Sequence, residues 1–195
     1  MIDTAVDALN AGKIVVLPTD TVYGLCVTPY KEEPARKLFD LKGRDHRQAI
    51  ALVASDLEML FECVPELRGR PATIARELLP GPYTLVFPNP AQRYRWFTGS
   101  RSETIGVRVP ALEGYGRQVL DRVGAVAATS ANLHGGPDPT TVAEVPQEIL
   151  NGVAEVVDAG ELPGVPSTVI DFTGERPVVL REGAGDVERA LAVLA

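Results

Sequence analysis

The sequence predicts an α/β (α+β) domain built on a twisted mixed sheet with flanking helices. Three observations carry this reading. Apolar strand-like runs and helix-periodic segments alternate along all 195 residues, they do so without a strict βαβ rhythm, and no internal repeat is visible. A single domain, 1–195, is the simplest organisation, and a chain of this size buries roughly 70% of the surface it exposes when unfolded.

The elements follow in order. TAVDALNA before Gly12 reads as an amphipathic helix closed by a left-handed glycine, and IVVLP (14–18) as a buried strand. PTDTVYGL (18–25) is then that strand's exit loop. EPARKLFDLKG has helical periodicity with Leu38, Phe39 and Leu41 toward the core, which places Lys42 and Arg44 just past a helix end. AIALVA reads as a strand, and DLEMLFECV and PATIARELL as helices, the second with Pro71 acceptable in a first turn. PGPYTLVFP turns into another strand, and residues 88–103, rich in Pro, Arg, Ser and Gly, are the most loop-like stretch. TIGVRV is expected as a strand, YGRQVLDRV as a helix, and GAVAATS as a strand delivering Ser130 and Asn132 at its tip. HGGPDPT is a turn-rich connection. AEVVD, STVIDF and PVVLRE are three more short strands, and VERALAVL is a closing helix capped by Asp186.

Composition narrows the function. Nineteen Lys and Arg against 26 Asp and Glu give a net charge of -7, so the molecule as a whole repels polyanions and general coating of nucleic acid is disfavoured. Cations nevertheless gather near candidate loops, at Lys42, Arg44, Arg47, Arg108 and Arg181, where a small anion such as a nucleotide could use them. Cys26 and Cys63 form no CxxC pair and have only His46 and His134 for company, which argues against zinc. No signal-peptide core or membrane span is readable, so a cytoplasmic, membrane-free protein is expected.

Four polar segments beside strand-like runs carry the chemistry: PTDTVYGL, KGR (42–44), TSAN (129–132) and STVID (167–171), with TIGVRVP (104–110) and LREG (180–183) in support. KGR offers positive charge and several donors on a short segment in which Gly43 permits close backbone approach; alone, it would read as a helix end decorated with cations. Arg108 alternates with Ile105, Val107 and Val109, so its guanidinium leaves the apolar face. No nucleophilic triad is suggested by the spacing, and the phosphate-loop pattern GxxxxGK[ST] is absent, which favours a nucleotide held by scattered side chains.

Taken together and in this order, these segments resemble the YrdC/Sua5 family of threonylcarbamoyl-adenylate synthases, over nearly the whole chain and in its short, single-domain form. The resemblance implies a YrdC/RibB-like twisted sheet with a concave binding face. It implies that Lys42, Arg44, Ser130 and Asn132 form the catalytic set lining an ATP and amino-acid pocket. Thr21, Arg108, Ser130 and Ser167 would meet L-threonine, with Arg108 gripping its carboxylate; Lys42, Arg44, Gln48, Thr104, Asn132, Thr140 and Arg181 would meet ATP. Thr19 and Tyr23 would shape the pocket, and Asp20 would cap its loop. The implied reaction joins L-threonine, bicarbonate or CO2, and ATP into threonylcarbamoyl-AMP and pyrophosphate. A magnesium ion is expected with the triphosphate, whose charge must be screened. A partner transferase complex would then modify adenosine 37 of tRNA, with at most a transient tRNA contact here.

The match departs from the family after KGR, where Asp45, Gln48 and Val53 take the positions of a proline, an asparagine and a histidine; His46 reads as a solvent-facing loop residue. PGPYTLVF, ETIGVRVP and VVLREGAGDV are also similar to the YciO-like branch, which tends to lack the Ser-x-Asn present here. A YciO-like enzyme using another nucleotide and a non-catalytic RNA-binding module therefore stand as alternatives.

Overall fold

In the computed structural model, which describes residues 1–193, the strands are β1 (Val15–Pro18), β2 (Tyr23–Val27), β3 (Ala51–Ala54), β4 (Tyr83–Pro88), β5 (Thr104–Arg108), β6 (Ala125–Ser130), β7 (Glu155–Val156), β8 (Thr168–Asp171) and β9 (Val178–Arg181). They join in one mixed sheet ordered β7-β1-β2-β6-β3-β5-β4-β8-β9. The β1/β7, β3/β5 and β4/β8 pairs are parallel and the rest antiparallel. The helices are α1 (Ile2–Asn10), α2 (Glu32–Lys42), α3 (Leu57–Cys63), α4 (Arg70–Leu78), α5 (Gly114–Val123), α6 (Gln147–Gly152) and α7 (Val187–Ala192).

Side chains alternate across each strand, so the sheet has two distinct faces. On one face Tyr23, Leu25, Leu52, Leu85, Phe87, Ile105 and Val107 meet Leu38 and Phe39 of α2, Leu60 of α3, Ile74 and Leu78 of α4 and Ile149 of α6 in the main core. On the other, Val15, Leu17, Cys26, Val53, Val126 and Ala128 pack with Ala5, Val6 and Leu9 of α1 and Val119 and Leu120 of α5 in a smaller cluster. These two helices roof only part of that face. Beside them it stays open and holds a cavity that runs from β2, β6 and β3 across β5 and β4 to β8 and β9.

The structure differs from the sequence-based expectation at several elements. YGLCV, placed partly in an exit loop, is the interior strand β2, fully buried between β1 and β6. Lys42 is the last residue of α2 rather than a residue beyond it, and Gly43 ends the helix in the left-handed conformation at φ 66. QEILNG, for which the sequence suggests no element, forms the short helix α6. The strand expected at AEVVD has only two paired residues. The closing helix begins at an Asp186 cap whose side chain accepts from the Arg189 N–H, and Leu194, assigned to it from the sequence, lies outside the described residues.

Candidate active site

The concave face is open because its inward residues are small. Gly24 and Cys26 of β2, Ala51 and Val53 of β3, Thr84 and Val86 of β4, Gly106 of β5, Ala128 of β6 and Val169 of β8 floor a cavity of about 350 Å³, at the lower end of small-molecule sites. Burial pushes the Cys26 thiol up to about 12, so this floor offers no thiolate nucleophile.

Charge enters at the rim. Arg44, Arg108 and Arg181 line the cavity together with one carboxylate, Asp138. Burial lowers the pKa of both Arg44 and Arg108; Asp20 opposes the shift at Arg108, and the positive charge of Arg181 lowers both further, so Arg181 repels each of the other two guanidinium groups. An anion relieves that repulsion. Arg44 donates to the Ala49 carbonyl at 2.8 Å, and the Nε atoms of Arg44 and Arg108 are buried with no acceptor.

Arg108 and Asp20 form a buried ion pair at 2.5 Å, with side-chain exposures of 11% and 7%. The second Asp20 oxygen accepts the Ala111 N–H at 3.0 Å. Asp20 is therefore more than the loop cap that the sequence suggested; it clamps a cationic side chain 88 residues away. Thr19 makes the turn of that loop, its hydroxyl donating to the Val22 carbonyl at 2.7 Å and accepting from the Thr21 and Val22 N–H groups. The turn delivers Thr21, whose hydroxyl lies 3.0 Å from that of Thr19 and 3.4 Å from Arg108 Nη2. Opposite, Arg181 donates through Nε and Nη2 to the Ser167 carbonyl at 3.0 and 2.8 Å, and the Ser167 hydroxyl meets that of Thr84 at 2.9 Å.

Lys42 is only 2% exposed. Its ammonium donates to the Ser130 carbonyl (2.6 Å), the Asn132 carbonyl (2.9 Å) and Asn132 Oδ1 (2.5 Å), while the Ser130 hydroxyl also donates to Asn132 Oδ1 at 2.7 Å. The amide of Asn132 closes the loop through the Gly136 carbonyl. Burial, helped by Arg44, lowers the Lys42 pKa to about 8, and Asp138 opposes that shift. Such geometry makes Lys42 the organiser of the 130–136 loop from behind the cavity wall.

Of the residues singled out from the sequence, Thr21, Arg44, Thr104, Arg108, Ser130, Ser167 and Arg181 line the cavity. Lys42 and Asn132 lie behind Ser130, locked together. Gln48 is exposed on the 44–49 loop, and the Thr140 hydroxyl is committed to Glu144 at 2.9 Å. Tyr23 turns to the main core, where its hydroxyl donates to the Gly160 carbonyl at 2.8 Å. His46 sits on the exposed loop beside Asp40 at 3.0 Å.

Gly106, Thr84 and Asp138 line the cavity without having been singled out. Gly106 carried a readable signal, since a glycine inside a strand marks close approach of something else. A Cβ there would meet only Thr84 Cγ2, at 3.5 Å, so a larger side chain fits the strand but projects into the cavity. Gly106→Val is expected to fold with near-normal thermal stability and to weaken binding of any ligand that fills this cavity roughly tenfold or more, about 1.4 kcal/mol. Thermal unfolding and calorimetry on the same sample check both halves.

Comparison with known proteins places these observations. The Sua5_yciO_yrdC family model, described as telomere recombination, matches residues 7–183. A threonylcarbamoyl-AMP synthase of Pyrococcus abyssi is 34% identical over 187 residues, 95% of this chain and 55% of its own length, so the chain spans about half of that relative. The threonylcarbamoyl-AMP synthase of Escherichia coli K12 is 34% identical over 188 residues, covering 89% of this chain and 93% of the relative. Among solved structures, P. abyssi Sua5 complexed with L-threonine superposes with a TM-score of 0.90 at 33% identity, over 100% of this chain and 57% of that one. E. coli YciO gives 0.85 at 26% identity, over 97% and 92%.

Proposed function

The chain belongs to the Sua5/YciO/YrdC family, and from that premise we propose that it is an L-threonylcarbamoyladenylate synthase, a nucleotidyltransferase of tRNA modification acting in the cytoplasm. One observation carries the reading. A single cavity collects a clamped arginine beside threonine hydroxyls, Arg44 beside the Lys42-organised Ser130–Asn132 loop, and Arg181, held on Ser167, whose charge reaches both of the other arginines. Such a site suits a small carboxylate and a polyphosphate side by side. The likeness to a Sua5 complexed with L-threonine supports the amino-acid part of this assignment.

In this reading Arg108, pre-oriented by Asp20, takes the amino-acid carboxylate, and Thr21 and Ser167 orient the rest of the molecule. The amine nitrogen bonds to the carbon of CO2, supplied as such or from bicarbonate, and releases a proton to give a carbamate. A carbamate oxygen then bonds to the α-phosphorus of ATP, and the bond to the β-phosphate oxygen breaks, with pyrophosphate keeping the electron pair. Arg44 and Arg181 neutralise charge on the phosphates, and Ser130 and Asn132, fixed by Lys42, position them. No covalent intermediate with the protein is required. A magnesium ion bound with ATP would screen the triphosphate. The product would pass to a transferase complex acting on tRNA; the site itself is suited to the free nucleotide.

Pyrophosphate release from ATP is expected to require both L-threonine and bicarbonate, measured with each omitted in turn. Equal release without threonine would refute the synthase and favour a YciO-like activity, the reading that the YciO superposition supports. Retention of RNA without ATP turnover would favour a binding module.

A further inference from the structure

Two carboxylates belong to this site, and only one of them, Asp138, lines the cavity itself. Asp20 is spent, with one oxygen on Arg108 and the other on the Ala111 N–H. Asp138 lines the same cavity, and among the described residues no hydrogen bond or ion pair reaches its carboxylate. It belongs to the HGGPDPT segment, for which the sequence suggested only a turn-rich connection.

Its presentation is rigid. Pro137 and Pro139 flank it, and the residue before a proline is held extended. The loop is pinned on one side by the Asn132 amide donating to the Gly136 carbonyl at 2.5 Å, and on the other by the Tyr23 N–H donating to the Pro139 carbonyl at 3.0 Å. The Asp138 charge is felt by the buried Lys42 behind the wall, but a carboxylate without a hydrogen-bonded partner, in the same cavity as arginines suited to polyphosphate, repels that ligand unless a cation lies between them. Magnesium is bound in this way, through one or two carboxylates with the remaining positions taken by phosphate oxygens and water. Among the described residues no group of three or more His, Cys, Asp or Glu side chains is gathered to hold a metal alone. A cation here must therefore draw most of its ligands from the nucleotide.

We propose that Asp138 is the protein's ligand for the hard divalent cation that accompanies the triphosphate. The inference rests on the ATP-using reading above. It makes the site specific for the metal complex of the nucleotide, with the arginines holding phosphate and Asp138 fixing the cation.

Calorimetric titration of ATP into the wild-type protein and Asp138→Asn, in EDTA and in saturating Mg2+, tests it. Without metal the variant is expected to bind ATP more tightly than wild type, because one negative charge has gone. With Mg2+ it is expected to bind about tenfold more weakly or worse, and Asp138→Glu should recover part of the loss. Water-proton relaxation with Mn2+ in place of Mg2+ reads the metal directly and should show the enhancement of the ternary complex fall in Asp138→Asn. Tighter binding in both conditions would reduce Asp138 to a repelling charge and overturn the proposal. Weaker binding in both, or an unchanged metal dependence, would overturn it as well. These outcomes leave the synthase intact, whereas a wild-type protein that binds ATP in neither condition would remove the reading on which the proposal rests.

Discussion

Arg108→Ala is expected to weaken L-threonine binding about a hundredfold while leaving ATP affinity within a few-fold of wild type. A bidentate, charge-assisted contact to a carboxylate is worth roughly 1.5–3 kcal/mol, which is ten- to more than a hundredfold. The same substitution strands Asp20, whose side chain is 7% exposed, and breaking a buried pair from one side costs about 3–5 kcal/mol of stability. Stability and binding can be separated by pairing the change with Asp20→Asn. The double variant Asp20→Asn/Arg108→Met should recover most of the melting temperature and none of the threonine affinity. Calorimetry with one ligand at a time, beside thermal unfolding, reads both. Unchanged threonine affinity in Arg108→Ala would mean that the amino acid binds elsewhere.

Lys42→Ala should be the more damaging change at the nucleotide end, although Lys42 does not line the cavity. Its ammonium holds three acceptors of the Ser130–Asn132 loop, and removing it leaves buried oxygens unpaired at roughly 1–3 kcal/mol each. The loop should loosen, ATP affinity should fall by about two orders of magnitude, and the melting temperature should drop. Arg44→Ala removes a donor that faces the cavity directly, so it should cost ATP affinity about ten- to a hundredfold with little change in stability. Asn132→Ala should follow Lys42→Ala, with ATP affinity falling more than threonine affinity. Equal melting temperatures for Lys42→Ala and Arg44→Ala would argue against Lys42 as the organiser of the loop.

The contrast between these two cations shows how far the sequence could be read. Period-two alternation in TIGVRV was enough to turn Arg108 out of the apolar face, and that is where it lies. Alternation says nothing about the partner, however. Asp20 lies between β1 and β2, four and three strands from β5 in the sheet order, so its meeting with Arg108 depends on an order and curvature set by tertiary packing. Lys42 misleads for a different reason. A lysine at a helix end is ordinarily solvated, and its burial here depends on carbonyl groups 88 and 90 residues away. Strand β2 escaped full recognition because it is buried on both sides and shows no alternation, while Gly24 and the polar turn before it look like loop. The short helix α6 begins directly after Pro146 and spans six residues, too few for a helical period to stand out. Gly106 was readable in principle, as a glycine inside a strand, whereas Asp138 became a candidate only when its loop was seen to fold over the cavity.

The central claim is that one cavity joins an amino acid, a one-carbon unit and ATP. Mass spectrometry of the adenylate formed from L-threonine, ATP and 13C-bicarbonate tests it most directly. The account predicts threonylcarbamoyl-AMP carrying the heavy carbon, formed in step with pyrophosphate and absent when threonine is withheld. An adenylate without the label, or ATP cleaved to other products with all three substrates present, would contradict it.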